Sequence, residues 1–149
     1  MVLKNSTIPD NEPCPVCGRW RNRALTVDAV VFDRDKVLLV KRKNEPYRGC
    51  WALPGGYMDF DETAQAAAHR ELAEETGLEA RVSRLVGIFD TPGRHPDQVV
   101  SAAYLVTVWQ GAARAGDDAA EAEWFPLERL PPDVAFDHDL IIAAATKLR

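Results

Sequence analysis

Glu71, Glu74 and Glu75 stand one to four positions apart in a segment that otherwise reads as helix. At ~100° per residue, Glu75 falls about 40° to one side of Glu71 and Glu74 about 60° to the other, so the three carboxylates share one wedge. Like charges so placed repel one another, and a divalent cation held between them turns that repulsion into a site. Ala64, Ala67 and Ala68 lie on the same face. Such a face is too charged for a core and too small for a packed apolar stripe, but it lets the helix lie close to neighbouring backbone. A merely solvated acidic face would carry glutamate–cation pairs at i, i+4, and only Arg70–Glu74 has that geometry. Hard oxygen donors select Mg2+ or Mn2+ over zinc, and Mg2+ favours phosphate substrates. The ion polarises a phosphoryl oxygen and acidifies water, whose proton a glutamate not committed to metal can accept. The Leu53-Pro54-Gly55-Gly56 turn just ahead can present a backbone carbonyl as a further ligand, since glycine permits close approach.

The elements that must position these groups follow from pattern. Residues 24–32 are rich in valine and suit a strand, 33–35 a turn, and 36–43 a second strand. A short strand at 51–53 stops at the Pro-Gly-Gly turn. Asp59 followed by Glu62 resembles a capping box, which predicts a helix from about 60 to 76 ending at Gly77. Residues 80–89 and 99–109 read as strands around a loop at 90–97, and 123–125 as a short strand beyond a small, polar connection at 110–120. An amphipathic helix closes the chain over 137–148. Strands on both sides of a central helix, plus a terminal helix, imply an α/β (α+β) sandwich with a mixed sheet between helices.

The 149 residues are enough for one domain with a real core, at 46% hydrophobic and 28% charged. A net charge of −5 argues against a nucleic-acid backbone binder, though not against a small anionic substrate. No apolar run approaches ~20 residues and the start lacks a signal-peptide pattern, so a cytoplasmic protein with no membrane partner is the expectation. Residues 1–22 are polar and proline-bearing and read as an arm; 23–149 form the main domain. Cys14 and Cys17 make a Cys-Pro-Val-Cys-Gly knuckle, half of a zinc ribbon without a second Cys-x-x-Cys, which reads as a metal-free turn.

The stretch Gly56 to Leu78 reads Gly-x5-Glu-x7-Arg-Glu-Leu-x-Glu-Glu-x-Gly-Leu, and at every specified position it resembles the Nudix box. The resemblance implies the Nudix α/β/α sandwich over residues 24–148 and hydrolysis of a nucleoside diphosphate linked to another moiety with Mg2+ or Mn2+. It implies metal ligation by Glu71, Glu74, Glu75 and the carbonyl of Gly55 or Gly56, with Arg70 orienting Glu71 through an ion pair. Glu62 is a structural or capping residue in this reading. The box is intact, which favours an active enzyme over a nucleotide-sensing module. The family also makes a homodimer compatible with the sequence.

Selectivity lies outside the box. Members acting on ADP-ribose carry a proline about fifteen positions beyond it, and Pro92 is fourteen past Leu78 and fifteen past Gly77. A Pro-Gly turn is equally common for structural reasons. ADP-ribose or a related nucleotide sugar is therefore the first expectation, with an oxidised nucleoside triphosphate such as 8-oxo-dGTP the alternative. Arg42, Arg48 and Arg94 are candidate phosphate contacts. Glu121, with Asp117, Asp118 and Glu123 beside it, is a candidate acidic residue facing metal or substrate. Phe32, Tyr47, Phe89 and Tyr104 can stack on a base or serve the core.

Overall fold

The computed structural model describes residues 8–114 and 119–149. Strand β1 (Leu25–Asp33) is its axis, and its side chains alternate between two buried faces. Val27, Ala29 and Val31 point to one side, Val30 and Phe32 to the other. That two-sided burial explains the continuous apolar run in the sequence. Strand β2 (Lys36–Arg42) repeats the pattern, Leu38 opposing Val37 and Leu39. The two meet across the Arg34-Asp35 turn, with Phe32 opposite Val37.

The sheet runs β3 (Trp51–Ala52), β2, β1, β6 (Val100–Gln110), β5 (Glu79–Phe89). β4 (Gly55–Tyr57) pairs with β1 and β7 (Ala119–Pro126) with β2. β1 and β6 are parallel and the other pairs antiparallel, so the sheet is mixed. Helix α1 (Ala64–Thr76) covers one face and α2 (His138–Thr146) the other. Ile141, Ile142 and Ala145 of α2 pack on Val30, Val37, Leu39 and Leu105. Leu72 and Leu78 pack on Ala29, Val31 and Val106, while Ala67 and Ala68, both wholly buried, pack against Val27 and Ala102. No helix among the described residues is long and apolar enough to cross a membrane.

Three local boundaries differ from the sequence reading. Helix α1 begins at Ala64, not near 60, because Thr63 rather than Asp59 caps it: Thr63 is extended and its Oγ1 accepts the Ala66 N–H at 3.1 Å. Glu62 does accept the Asp59 N–H at 2.7 Å, but as part of the loop. Gly55–Tyr57 is a strand as well as a turn, because Thr26, Val27 and Asp28 supply a partner that no local pattern reveals. β7 extends from 123–125 to Ala119–Pro126 for the same reason, its whole length being templated by β2. The C-terminal end of α1 is as expected: Gly77 takes φ 77° and returns its N–H to the Ala73 carbonyl.

The described residues of the arm, from Ile8 onward, fold against the body. Ile8 and Cys14 are buried, and a tight turn joins the Gly18 N–H to the Cys14 carbonyl at 2.8 Å. Cys14 is buried and Cys17 exposed.

Candidate active site

Helix α1 presents its acidic face to the Gly55–Gly56 backbone. A Cβ on Gly56 would lie 2.6 Å from Glu71 Oε1 and 2.7 Å from its Cδ, so the carboxylate occupies the space a side chain would take. A Cβ on Gly55 would lie 2.1 Å from the Val27 carbonyl oxygen. Both glycines are therefore demanded by close approach, with φ outside the left-handed region. Glu75 is buried, and its Oε2 accepts the Gly55 N–H at 3.1 Å. Glu74 is the most open of the three, its side chain 45% exposed against 13% for Glu71.

Arg70 braces the cluster. Its Nη2 and Nε donate to the two oxygens of Glu62 at 2.6 and 3.0 Å, and Nη1 reaches Glu71 at 2.8 Å and Glu74 at 3.2 Å. The Tyr57 carbonyl accepts a further bond at 3.1 Å. The hydrogen bond to Glu62, then those to Glu71, raises the guanidinium pKa further, and the same bond holds Glu62 below the usual carboxylate value. Arg70 thus ties loop, strand β4 and helix together, with Glu62 its principal partner.

Beside this cluster opens a cleft of about 370 Å³ lined by Glu75, Gly55, Gly56, Asp28, Arg42, Lys43, Arg94, His95, Phe136 and His138, among others. Arg42 lies over the Phe136 ring at 5.1 Å and donates to the Pro46 carbonyl at 2.8 Å. Arg94 lines the cleft but is fixed, its Nη2 and Nε donating to Asp137 at 2.6 and 2.9 Å and its Nη1 to the Val99 carbonyl at 3.1 Å. Arg48 is exposed and outside the lining. Glu121 stands on β7, 3.7 Å from Lys41 Nζ, also outside it. Pro92 is exposed and borders a second cleft instead. Tyr47 meets Phe136 at a ring separation of 4.6 Å, Phe89 packs in the core, Phe32 receives Arg149, and Tyr104 packs beside Val27. Asp117 and Asp118 lie outside the described residues.

Sequence reasoning missed a buried chain behind the Gly55–Gly56 strand. Ser101 Oγ donates to Asp28 Oδ2, and Asp28 Oδ1 lies 3.4 Å from His138 Nε2. His138 Nδ1 accepts the Leu53 N–H at 2.9 Å. The acceptor role of Nδ1 places the imidazole proton on Nε2, facing Asp28. Burial pushes the His138 pKa down, so the ring is neutral. The available signal was Asp28 itself, a lone acid inside a valine-rich strand.

The glutamates satisfy the chemistry of a hard cation: oxygen donors against a backbone that glycine leaves open. Among the described residues, no three acidic, His or Cys groups stand together as a preformed cage, because Glu71 and Glu74 are turned toward Arg70 and Glu75 toward the Gly55 N–H.

A model of the NUDIX domain matches residues 22–145. The chain belongs to the Nudix family. It is 47% identical over 120 residues to an ADP-ribose pyrophosphatase of Methanocaldococcus jannaschii, covering 80% of this chain and 70% of that protein. It is 34% identical to an ADPR-responsive transcriptional repressor of Acinetobacter baylyi, over 83% of this chain and 54% of the repressor. The NUDIX domain of Shewanella oneidensis NrtR, solved with ADP ribose, superposes with a TM-score of 0.77 at 31% identity, over 87% of this chain and 90% of that domain. The chain is a Nudix hydrolase with the family's sandwich fold.

Proposed function

We propose that this Nudix hydrolase cleaves the diphosphate bridge of ADP-ribose or a related nucleotide sugar, using Mg2+ or Mn2+. The observation that carries the reading is the cleft where Glu75, Gly55 and Gly56 meet Arg42 and Lys43, with Arg94, ion-paired to Asp137, in its wall. Four carboxylates, Asp28, Glu45, Glu75 and Asp97, line the same cleft. Its formal balance is thus slightly negative, which a diphosphate enters only with a divalent ion to offset the repulsion. Glu71, Glu74, Glu75 and the Gly55 or Gly56 carbonyl would hold that ion, which supplies Lewis acidity toward the phosphoryl oxygens.

The chain's own residues do the rest. Arg70, anchored by Glu62, holds Glu71 and Glu74 by hydrogen bonds and so fixes the Glu71 carboxylate against Gly56. The Ser101–Asp28–His138 chain holds Leu53 and the strand after it. Arg42, stacked on Phe136, presents its remaining N–H groups to the cleft as a phosphate donor. Whichever of these glutamates is not committed to the ion would accept the proton of the attacking water, and Glu75 is the one that lines the cleft.

The likeness to the M. jannaschii pyrophosphatase and to the NrtR domain holding ADP ribose supports this substrate over a nucleoside triphosphate. The likeness to a repressor gives a second reading, nucleotide sensing without turnover. A panel of ADP-ribose, nucleotide sugars, dinucleotides and nucleoside triphosphates, scored for AMP and phosphate products, separates them. Hydrolysis of ADP-ribose in wild type, with Glu75→Gln slower by about 10²–10⁴-fold at unchanged melting temperature, is expected. Full activity in Glu75→Gln refutes the assignment of that glutamate, and tight binding with no turnover across the panel favours the sensor.

A further inference from the structure

A second cleft of about 500 Å³ lies between the amino-terminal arm and the 92–98 loop, lined by residues of both. Asp97 borders this cleft and the one beside the glutamates, so the two adjoin. The chain is fastened just after the arm: Arg23 Nε donates to the Gln98 carbonyl at 2.6 Å and its Nη1 to the Asp90 carbonyl at 2.8 Å. Asp10, Asn11 and Arg21 of this wall precede residue 22, where the family's domain begins to match, while Asn22 and Arg23 fall within it.

The lining has a distinct chemistry. Arg21 and Arg23 balance Asp10 and Asp97, and Arg21 is paired directly with Asp10. No excess of positive charge remains for a phosphate. Amide and carboxylate groups offer dense hydrogen bonding, and Pro92 and Pro96 add flat apolar surface. Fixed planar polar groups over a small apolar patch suit a ring that carries many hydroxyls.

We infer that this second cleft is a subsite for the uncharged, polyhydroxylated half of a nucleoside-diphosphate derivative, a pentose ring or one like it, and that the arm thereby sets selectivity. The inference rests on the reading that the first cleft takes the diphosphate. It selects against triphosphates, whose terminal phosphate would enter a charge-balanced cleft with no surplus cation to receive it.

The test uses probes without a P–O–P bond, so that nothing is consumed. Ribose 5-phosphate and inorganic phosphate are titrated into the full-length protein with Mg2+ by calorimetry. Wild type should bind ribose 5-phosphate at least about fivefold more tightly, the worth of roughly one net hydrogen bond. Pro96→Trp and, independently, Asn22→Trp fill the cleft from opposite walls and should abolish that preference. Each variant's melting temperature is compared with wild type to show that it is folded. Equal affinity for the two probes in wild type, or a preference that survives in both folded variants, overturns the subsite. Failure of the proposed hydrolysis shows instead in the turnover panel, which breaks the bond these probes lack. If that reading holds, the KM for ADP-ribose should rise about tenfold in both variants while kcat stays near wild type; an unchanged KM counts equally against the subsite.

Discussion

Gly55 and Gly56 are adjacent and alike in sequence, yet adding one methyl to each should break different things. On Gly55 the new Cβ would lie 2.1 Å from the Val27 carbonyl oxygen, 2.6 Å from Asp28 Oδ1 and 3.1 Å from Asp28 Cα. Ordinary C···O contacts fall near ~3.3 Å or beyond, so the overlap exceeds ~1 Å and two of the three atoms are backbone. Relief requires β4 to part from β1 at Val27–Gly56 and Asp28–Gly55. A cost of about 3 kcal/mol or more follows for Gly55→Ala, which lowers the melting temperature by roughly 6–12 °C in a domain of this size. On Gly56 the three atoms nearest the Cβ all belong to the Glu71 carboxylate, Oε1 at 2.6 Å, Cδ at 2.7 Å and Oε2 at 2.9 Å. That side chain can rotate away, so Gly56→Ala should cost within about 1 kcal/mol. Clearing the 2.6 Å contact to ~3.3 Å displaces the carboxylate by roughly 0.7 Å, a misplacement worth up to about 10²-fold in turnover. Thermal unfolding and initial hydrolysis rates, measured on both variants, give the comparison. A Gly55→Ala protein melting with wild type, or a Gly56→Ala protein with full turnover, refutes the close-approach argument.

Two further outcomes concern the buried polar groups. Asp137→Ala leaves the Arg94 guanidinium, whose side chain is only 4% exposed, without its carboxylate, and should cost about 3 kcal/mol by denaturant titration; replacing both with apolar residues should cost less. His138 lies among Asp28, Asp137, Arg94 and Arg42, and burial depresses its pKa below 6.5. Near and below pH ~6.5 the unfolded chain binds a proton that the folded ring refuses, so this group's contribution is whole above that pH and declines as pH falls. His138→Asn, with its side-chain oxygen in place of Nδ1, should flatten the fall in melting temperature between pH 7 and 5; an equal slope in both proteins refutes that origin.

The cluster of Glu71, Glu74 and Glu75 was legible because helical period is a local property: spacing alone puts them on one face with Ala67 and Ala68, and those alanines do let α1 settle on Val27 and Ala102. The Gly77 stop was legible for the same reason. The start of α1 was not, because Asp59 and Thr63 both carry capping chemistry and only the loop geometry, in which Glu62 turns to Arg70, chooses between them.

Sequence by itself determined the family, the mixed sandwich and the acidic helix face, since each rests on short-range spacing or on alternation along one strand. Tertiary structure decided what the arginines do and where selectivity can lie. Arg94 was a candidate phosphate contact, and only the fold shows that Asp137, forty-three positions on, takes its Nη2 and Nε. Asp28 acquired its partners from Ser101, seventy-three positions away, and from α2. The arm became a wall only because Arg23, the residue after it, reaches Gln98, seventy-five positions along the chain. Such pairings depend on which strands lie side by side, and no periodicity within a segment encodes that.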